Sequence, residues 1–240
     1  MPGRQGRSGR DHGGREEAAP QQTGGARSIA RPWRGKPLIE RIVGRTSIAQ
    51  IEAAYSLEYP TDYGDYHSAV ELDVRKQVIK VGGTLYCNDN EVGDFERTLK
   101  YQDGRGLAYH DVLQIQESHR EHGLAREHYT RAIRFYDTTP IRRVELVAYG
   151  DGPWIWPQFG FDLASRHHKQ RLRRLALERG FSNVPEVPDL YAADIATAAE
   201  RGIESLKALA GLEQGGLTMY LDLDDENHRR FLIARGILTA

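Results

Sequence analysis

The sequence predicts an α/β fold of the α+β type, in which an antiparallel meander of strands leads into a β-α-β crossover. Apolar and polar residues alternate in successive segments between residues 69 and 116, which indicates strands separated by short turns. Apolar residues then recur at helical spacing from about Gly123 to Asp137, and another alternating segment covers 143–149. Because a helix joins the last two strands, we expect them to lie parallel to each other.

The elements before the crossover are assigned from their caps and turns. Thr46 or Ser47 is a candidate N-cap for a helix that ends near Leu57. The tyrosine-rich connection that follows is expected either to pack half-buried or to line a ligand cleft. Turn residues then separate four expected antiparallel strands, which are 69–74, 78–86, 93–101 and 107–116.

The elements after the crossover are expected to be mostly helical. Four elements are expected after a tryptophan-containing segment. They are a basic helix over 163–179, an alanine-rich helix over 189–209, a closing strand over 217–223 and a last helix over 226–234. We therefore predict three regions. They are a disordered basic tail over 1–36, a domain over 37–163 and a mostly helical C-terminal extension over 164–240 that packs on the domain.

Composition and charge indicate a soluble, cytoplasmic protein with one charged appendage. The net charge of −1 does not point to a nucleic-acid partner, and no apolar run approaches the roughly 20 residues of a membrane span. The N-terminus also lacks the apolar core of a signal peptide. Residues 1–36 carry eight basic and three acidic side chains, so this tail is either a basic arm for nucleic acid or a segment without a partner. The single cysteine, Cys87, excludes an internal disulfide and a thiolate zinc site.

The junction between the fourth strand and the crossover helix is the candidate binding site. Residues 120–125, with the sequence R-E-H-G-L-A, form a polar turn with Gly123 at the point where the helix begins. The first amides of a helix have no partner inside it, and the helix dipole adds positive charge there. Gly123 lets the backbone approach a ligand closely, and Arg120 and Arg126 add positive charge. This junction therefore predicts an anion site.

The order of elements and two motifs resemble the GNAT N-acetyltransferase superfamily. The coenzyme A pyrophosphate loop of that family has the pattern Gln/Arg-x-x-Gly-x-Gly/Ala, and Arg120, Gly123 and Ala125 match its fixed positions. The later segment W-P-Q-F-G-F at 156–161 is similar to the family's Tyr-x-x-x-Gly-Phe. Its tryptophan, and the aspartate after Gly-Phe, more closely resemble a divergent bacterial subgroup. The resemblance covers roughly residues 45–163 and implies a GNAT-like mixed sheet.

The resemblance implies that the chain binds acetyl-CoA as its acyl donor. In the family, loop amides hold the pyrophosphate, and the edge of the preceding strand pairs with the pantetheine arm. The acetyl thioester lies where that strand and the next one splay apart. The residues that correspond to these positions are Leu113, Gln114, Ile115, Arg120, Glu121, His122, Gly123, Leu124, Ala125 and Arg126.

Acetyl transfer to an amine requires a base, a donor to the developing oxyanion and an acid for the departing thiolate. The resemblance implies a base near the start of the fourth strand, where His110 titrates in the useful range and Asp111 is the second candidate. Both also fit a polar strand end that faces solvent. The family's frequent acid is a tyrosine at the position of Trp156, whose indole cannot protonate a thiolate. Tyr149 is the candidate substitute.

The predicted function is N-acetyltransfer from acetyl-CoA to an unidentified small-molecule or peptide amine by direct attack. The alternative is a catalytically weak or inactive GNAT-like module that binds a protein, or nucleic acid through the basic tail. The polar residues around the loop, Glu117, His119, His122 and His128, lack a converging face for a fourth ligand, so no metal is expected.

Overall fold

In the described part of the chain, two short helices precede the sheet. The computed structural model describes residues 36–75, 77–150, 152–178 and 216–240, beginning with α1 (Lys36–Val43) and α2 (Ile48–Tyr55). Ser47 caps α2, because its hydroxyl accepts from the Gln50 amide at 3.2 Å while the Gln50 side chain accepts from the Ser47 amide at 2.9 Å. This reciprocal pair satisfies two amides at the start of the helix and confirms Ser47 as the N-cap.

Five antiparallel strands form the first part of the sheet. They are β1 (Glu58–Thr61), β2 (Gly64–Val74), β3 (Val78–Cys87), β4 (Asn90–Gln102) and β5 (Arg105–Ile115). The last four confirm the strands predicted from alternation. The edge strand β1 lies in the tyrosine-rich connection, where Pro60 conceals it in the sequence; proline is tolerated there because an edge strand needs fewer backbone donors.

A crossover and two further strands complete the sheet. The crossover helix α3 (Leu124–Asp137) leads to β6 (Ile141–Ala148), which pairs parallel to β5, as predicted. The short strand β7 (Asp162–Leu163) and β8 (Leu217–Asp222) both run antiparallel to their neighbours. The order across the sheet is β1-β2-β3-β4-β5-β6-β8-β7. The chain therefore has a mixed α/β architecture with a GNAT-like meander and crossover, which confirms the predicted fold class.

Three further helices lie after β6 among the described residues. The short α4 (Gly152–Ile155) continues into a 3-10 turn, α5 (Arg166–Glu178) is the basic helix and α6 (Glu226–Ala234) is the predicted last helix. The expected helix over 189–209 and nearly all of the basic tail lie outside the described residues. None of the helices described is long and apolar enough to cross a membrane.

The boundary between residues 163 and 164 stays a prediction. Beyond it, β8 lies inside the sheet, between β6 and β7, so the C-terminal segment contributes directly to the sheet.

One buried cluster joins α1, α2, α3 and α6 to one face of the sheet. Strand residues alternate accordingly; in β3, Ile79 and Val81 are fully buried while Lys80 between them is partly exposed. This alternation decides which side chains of β4 and β5 point beneath α3, and it therefore positions the candidate site.

Candidate functional site

A gap opens between β5 and β6. The two strands pair only as far as His110 and Leu146. The last two residues of β6 continue to pair with β8 instead, so β6 follows β8 away from β5. No strand of the described residues lies beside the second half of β5, residues 111–115, on the β6 side. This is the splayed geometry that the family resemblance implies.

A bulge between β4 and β5 lies at the start of this gap. Glu96 is paired with Val112 and Arg97 with His110, which leaves Asp111 without a partner on β4. His110 points inward and is only 5% exposed. Asp111 points to the opposite face, where its carboxylate accepts from the Thr98 hydroxyl at 2.7 Å. The two candidate bases are therefore separated by the sheet.

The free edge of β5 presents backbone groups to the gap. The amide of Gln116 donates to β4 at 2.8 Å. Because the direction of backbone groups alternates along a strand, those of Leu113 and Ile115 point away from β4. The Arg120 Nε atom donates to the Ile115 carbonyl at 3.1 Å from this side, while the Gln114 side chain is exposed. The structure thus brings the predicted strand-edge residues and Arg120 to one edge.

The loop after β5 leaves a series of amides free. The amides of residues 121–126 donate to no group in the described part of the chain, and the first bonded amide is that of Glu127, which donates to the Gly123 carbonyl at 2.9 Å. Gly123 is the N-cap and has φ +82°. The Leu124 side chain is buried in the core, and Ala125 is partly exposed. The start of α3 therefore offers unpaired donors and a positive dipole end.

Tyrosines from the β1–β2 hairpin support this loop. A Cβ atom on Gly123 would lie 2.7 Å from the Tyr59 hydroxyl. The Tyr66 hydroxyl lies 3.0 Å from Nδ1 of His119 and 2.7 Å from Nδ1 of His122. The Tyr63 ring stacks on His122 with centroids 3.9 Å apart. These side chains hold the loop in place, a role that sequence reasoning did not assign to them.

The loop histidines are therefore oriented by a tyrosine. Within the described residues, no three potential ligands lie close enough to hold a metal ion.

The His110 ring belongs to a buried hydrogen-bonded chain. Its Nε2 lies 3.1 Å from the Tyr136 hydroxyl, which in turn lies 2.7 Å from the Tyr55 hydroxyl. Its Nδ1 is buried and has no partner among the described residues. Burial, assisted by the positive charge of Arg97, lowers the pKa of His110 well below its usual value. The ring is therefore neutral at physiological pH.

Aromatic rings enclose this histidine. The centroid of Trp156 lies 6.3 Å from that of His110, edge-on, so the indole at the expected acid position contacts the candidate base. The other rings that pack around it are Tyr129, Tyr136 and Phe161. Tyr149, the candidate substitute acid, is not one of them. It follows the end of β6, is 65% exposed and lies against Gly216.

Two arginines near the site have structural partners. Arg126 donates to the Arg235 carbonyl at 3.0 Å, which ties the start of α3 to the C-terminal segment. Arg97 is fully buried on β4 opposite His110. Sequence reasoning missed Arg97, although it occupies an inward position in the apolar alternation between Phe95 and Leu99. A charged residue at an inward-facing position of a strand was the signal in the sequence that could have identified it.

The comparisons with known proteins are limited to structures. No family model and no curated protein matches the chain. Arabidopsis thaliana Naa50 in complex with the bisubstrate analogue CoA-Ac-MVNAL matches at 18% identity and a TM-score of 0.32, over 35% of this chain and 58% of Naa50. N-acetylglutamate synthase from Neisseria gonorrhoeae, complexed with coenzyme A and N-acetyl-glutamate, matches at 13% and 0.34, over 60% of this chain and 26% of the synthase.

A third match is an integron cassette protein from the mobile metagenome of V. cholerae, at 13% identity and a TM-score of 0.26, over 52% of this chain and 68% of that protein. The chain thus spans less than two thirds of Naa50 and about a quarter of the synthase. Because these identities and TM-scores are low, the assignment of the fold depends on the strand order and the crossover observed in the chain itself.

Proposed function

We propose that the chain binds acetyl-CoA and transfers the acetyl group to the amine of a small molecule or peptide by direct attack. One observation carries this proposal. Among the described residues, the buried His110, the β5 edge that pairs with no further strand and the amides without partners at the start of α3 follow one another along a single strand–loop–helix junction. An anion site that adjoins a free strand edge suits a ligand with a phosphate end and an extended amide arm.

The residues present fit such a ligand. The amides of residues 121–126 and the Arg120 side chain would hold the diphosphate, because they combine unpaired donors with positive charge. The backbone groups of Leu113 and Ile115 would pair with the amides of the pantetheine arm. When bound, acetyl-CoA supplies the activated acetyl group.

His110 is the proposed base. Its Nδ1 has no partner in the described part of the chain, and burial keeps the ring neutral, so this nitrogen is free to accept the proton that a neutral amine releases as it bonds to the acetyl carbonyl carbon. The hydrogen bond between Nε2 and the Tyr136 hydroxyl would hold the ring plane during this transfer. Asp111 on the outer face and Tyr149 at the end of β6 stay predictions for the second base and the acid.

Binding of acetyl-CoA is tested with Ala125→Glu, measured by titration calorimetry. A glutamate in the first turn of α3 favours the helix through its dipole but repels a diphosphate, so we expect an affinity loss of about tenfold or more with the fold retained. The matched control is Ala53→Glu, the same change at an exposed position of α2. Gly123→Glu is a poorer probe, because any side chain there meets Tyr59. If wild type and Ala125→Glu bind acetyl-CoA equally well, the loop of residues 121–126 does not hold the diphosphate.

A second candidate function, an acyl-CoA-binding module without turnover, is favoured by one observation. The expected acid position holds the indole of Trp156, packed against His110. Release of the coenzyme A thiol in the presence of a panel of amines separates the two functions. Transfer that His110→Ala reduces by about a hundredfold or more supports the enzyme. Tight binding without release from any amine supports the module.

A further inference from the structure

Arg97 places its guanidinium at the bulge between β4 and β5. The side chain is 1% exposed. Its Nη1 atom donates to the Glu96 carbonyl at 2.8 Å and also to the Val112 carbonyl on β5. Glu96 and Val112 are the last pair before the bulge, so one guanidinium bridges the two strands where their register shifts. A bulge disturbs the ladder of backbone hydrogen bonds, and this side chain supplies a donor there.

Burial of this cation is costly, and it is offset by carbonyl oxygens and the Phe95 ring, 5.9 Å from the guanidinium carbon, rather than by a carboxylate. None of the carboxylates in the described residues forms an ion pair with Arg97, and its Nε has no hydrogen-bond partner there. Burial lowers the pKa of the guanidinium. Buried arginines are ordinarily paired, because desolvation of an isolated charge is unfavourable. A stabilising core residue at this position would be apolar, like its neighbours Phe95 and Leu99.

We propose that Arg97 is a positioning residue that holds the β4–β5 bulge and so fixes the free edge of β5 at which the ligand is bound. The inference rests on the proposed function for that edge. Because of the bulge, two residues, Asp111 and Val112, separate the inward-facing His110 and Leu113, where regular alternation would place one. If the strand alternated regularly instead, every side chain after Asp111 would turn to the opposite face, and the backbone groups of the edge would exchange directions.

The charge of Arg97 also acts on the base. His110 is its cross-strand partner, and the guanidinium is one cause of the low pKa of that ring, after burial. One side chain therefore bridges the strands at the bulge and adds to the effect of burial on the pKa of His110. These two effects act through geometry and charge respectively, so different substitutions separate them.

The test compares Arg97→Met and Arg97→Lys with wild type and with the control Arg143→Met. Arg143 lies on β6 and contacts Glu145 and the Tyr220 ring, away from the bulge. Two ligands are titrated. Coenzyme A engages the loop and the strand edge, whereas 3′-phosphoadenosine 5′-diphosphate carries the diphosphate without the pantetheine arm. Amide hydrogen exchange of Val112 and Gln114, whose amides point toward β4, is measured on each protein without ligand.

We expect Arg97→Met to weaken coenzyme A by about tenfold and the diphosphate by less than about twofold, because only the strand edge is disturbed. Exchange of the Val112 and Gln114 amides should rise about tenfold in Arg97→Met. Arg97→Lys should lie between Arg97→Met and wild type, and Arg143→Met should match wild type. If Arg97→Met does not fold, Arg97→Lys carries the same comparison.

Equal losses for both ligands, or unaltered exchange in β5, would overturn the role of Arg97. If the wild type binds neither ligand, the proposed function fails, and the exchange data still decide whether Arg97 holds the bulge.

Discussion

At the scale of single residues, the start of α3 depends on the absence of a side chain at Gly123. This residue has φ +82°, and a Cβ atom would lie 2.7 Å from the Tyr59 hydroxyl. We expect Gly123→Ala to destabilise the fold by about 1–2 kcal/mol from the left-handed backbone, with a further loss from the contact. Urea unfolding measures the free-energy change.

Gly104 supplies the matched control for this prediction. It has φ +84°, and a Cβ atom there would meet no other atom within 4 Å, so Gly104→Ala carries the backbone cost alone. The difference between the two variants reports the contact with Tyr59, and Tyr59→Phe should reduce it. Identical losses in Gly123→Ala and Gly104→Ala would show that Tyr59 does not restrict the loop.

At the scale of elements, α3 is joined to the C-terminal segment by arginine side chains. Arg134 donates to the carbonyls of Ile237 at 2.9 Å and Gly236 at 3.1 Å. We expect Arg134→Met to speed amide exchange of Ile237 and Leu238 about fivefold, because two hydrogen bonds that hold the segment are lost. Arg230→Met is the control, since the polar contacts of Arg230 within the described residues are with its own helix, at Asn227 and Glu226. Unchanged exchange in Arg134→Met would mean that α6 alone holds the segment.

The elements themselves were largely predictable, because their signals are local. The alternation of β2 to β5, the N-cap Ser47 and the last helix, α6, all appear in the sequence with boundaries close to those of the structure. The edge strand β1 was missed, since Pro60 and the neighbouring acidic and glycine residues are typical of a turn. The two-residue strand β7 was also missed, because so short a segment shows no alternation.

At the scale of the whole molecule, two buried histidines should make stability depend on pH. Burial, aided by the charge of Arg97, lowers the pKa of His110 and His128. A histidine of the unfolded chain has a pKa of about 6.5, so below that pH the unfolded chain binds more protons than the folded one. The contribution of these two rings to the free energy of unfolding should be constant above that pH and should fall as the pH drops below it. The slope is up to about 2.7 kcal/mol per pH unit for the two rings together.

His128→Phe tests this dependence. Both ring nitrogens of His128 are buried without a hydrogen-bond partner in the described part of the chain, and the ring packs on Phe95 with centroids 4.3 Å apart. A phenyl group should therefore be accepted and should remove about 1.4 kcal/mol per pH unit from the acid slope. Urea unfolding at several pH values between about 5 and 8, which bracket the unfolded-state pKa, measures the slope. A variant that follows the wild-type curve would show that His128 is not kept neutral by the fold.

As with the fold, some features of the candidate site were predictable from the sequence and others were not. The sequence by itself determined the strand–loop–helix order, the positive-φ glycine at the start of α3 and the matching Arg120 and Ala125, because each follows from residue type and local spacing. Only the tertiary structure decided that His110 points inward and Asp111 outward, since one bulge between β4 and β5 sets the phase of the strand. It also decided the support of the loop by Tyr59 and Tyr66, which come from strands far away in the chain. Register and long-range contacts depend on how distant segments pair, and no local pattern carries that information.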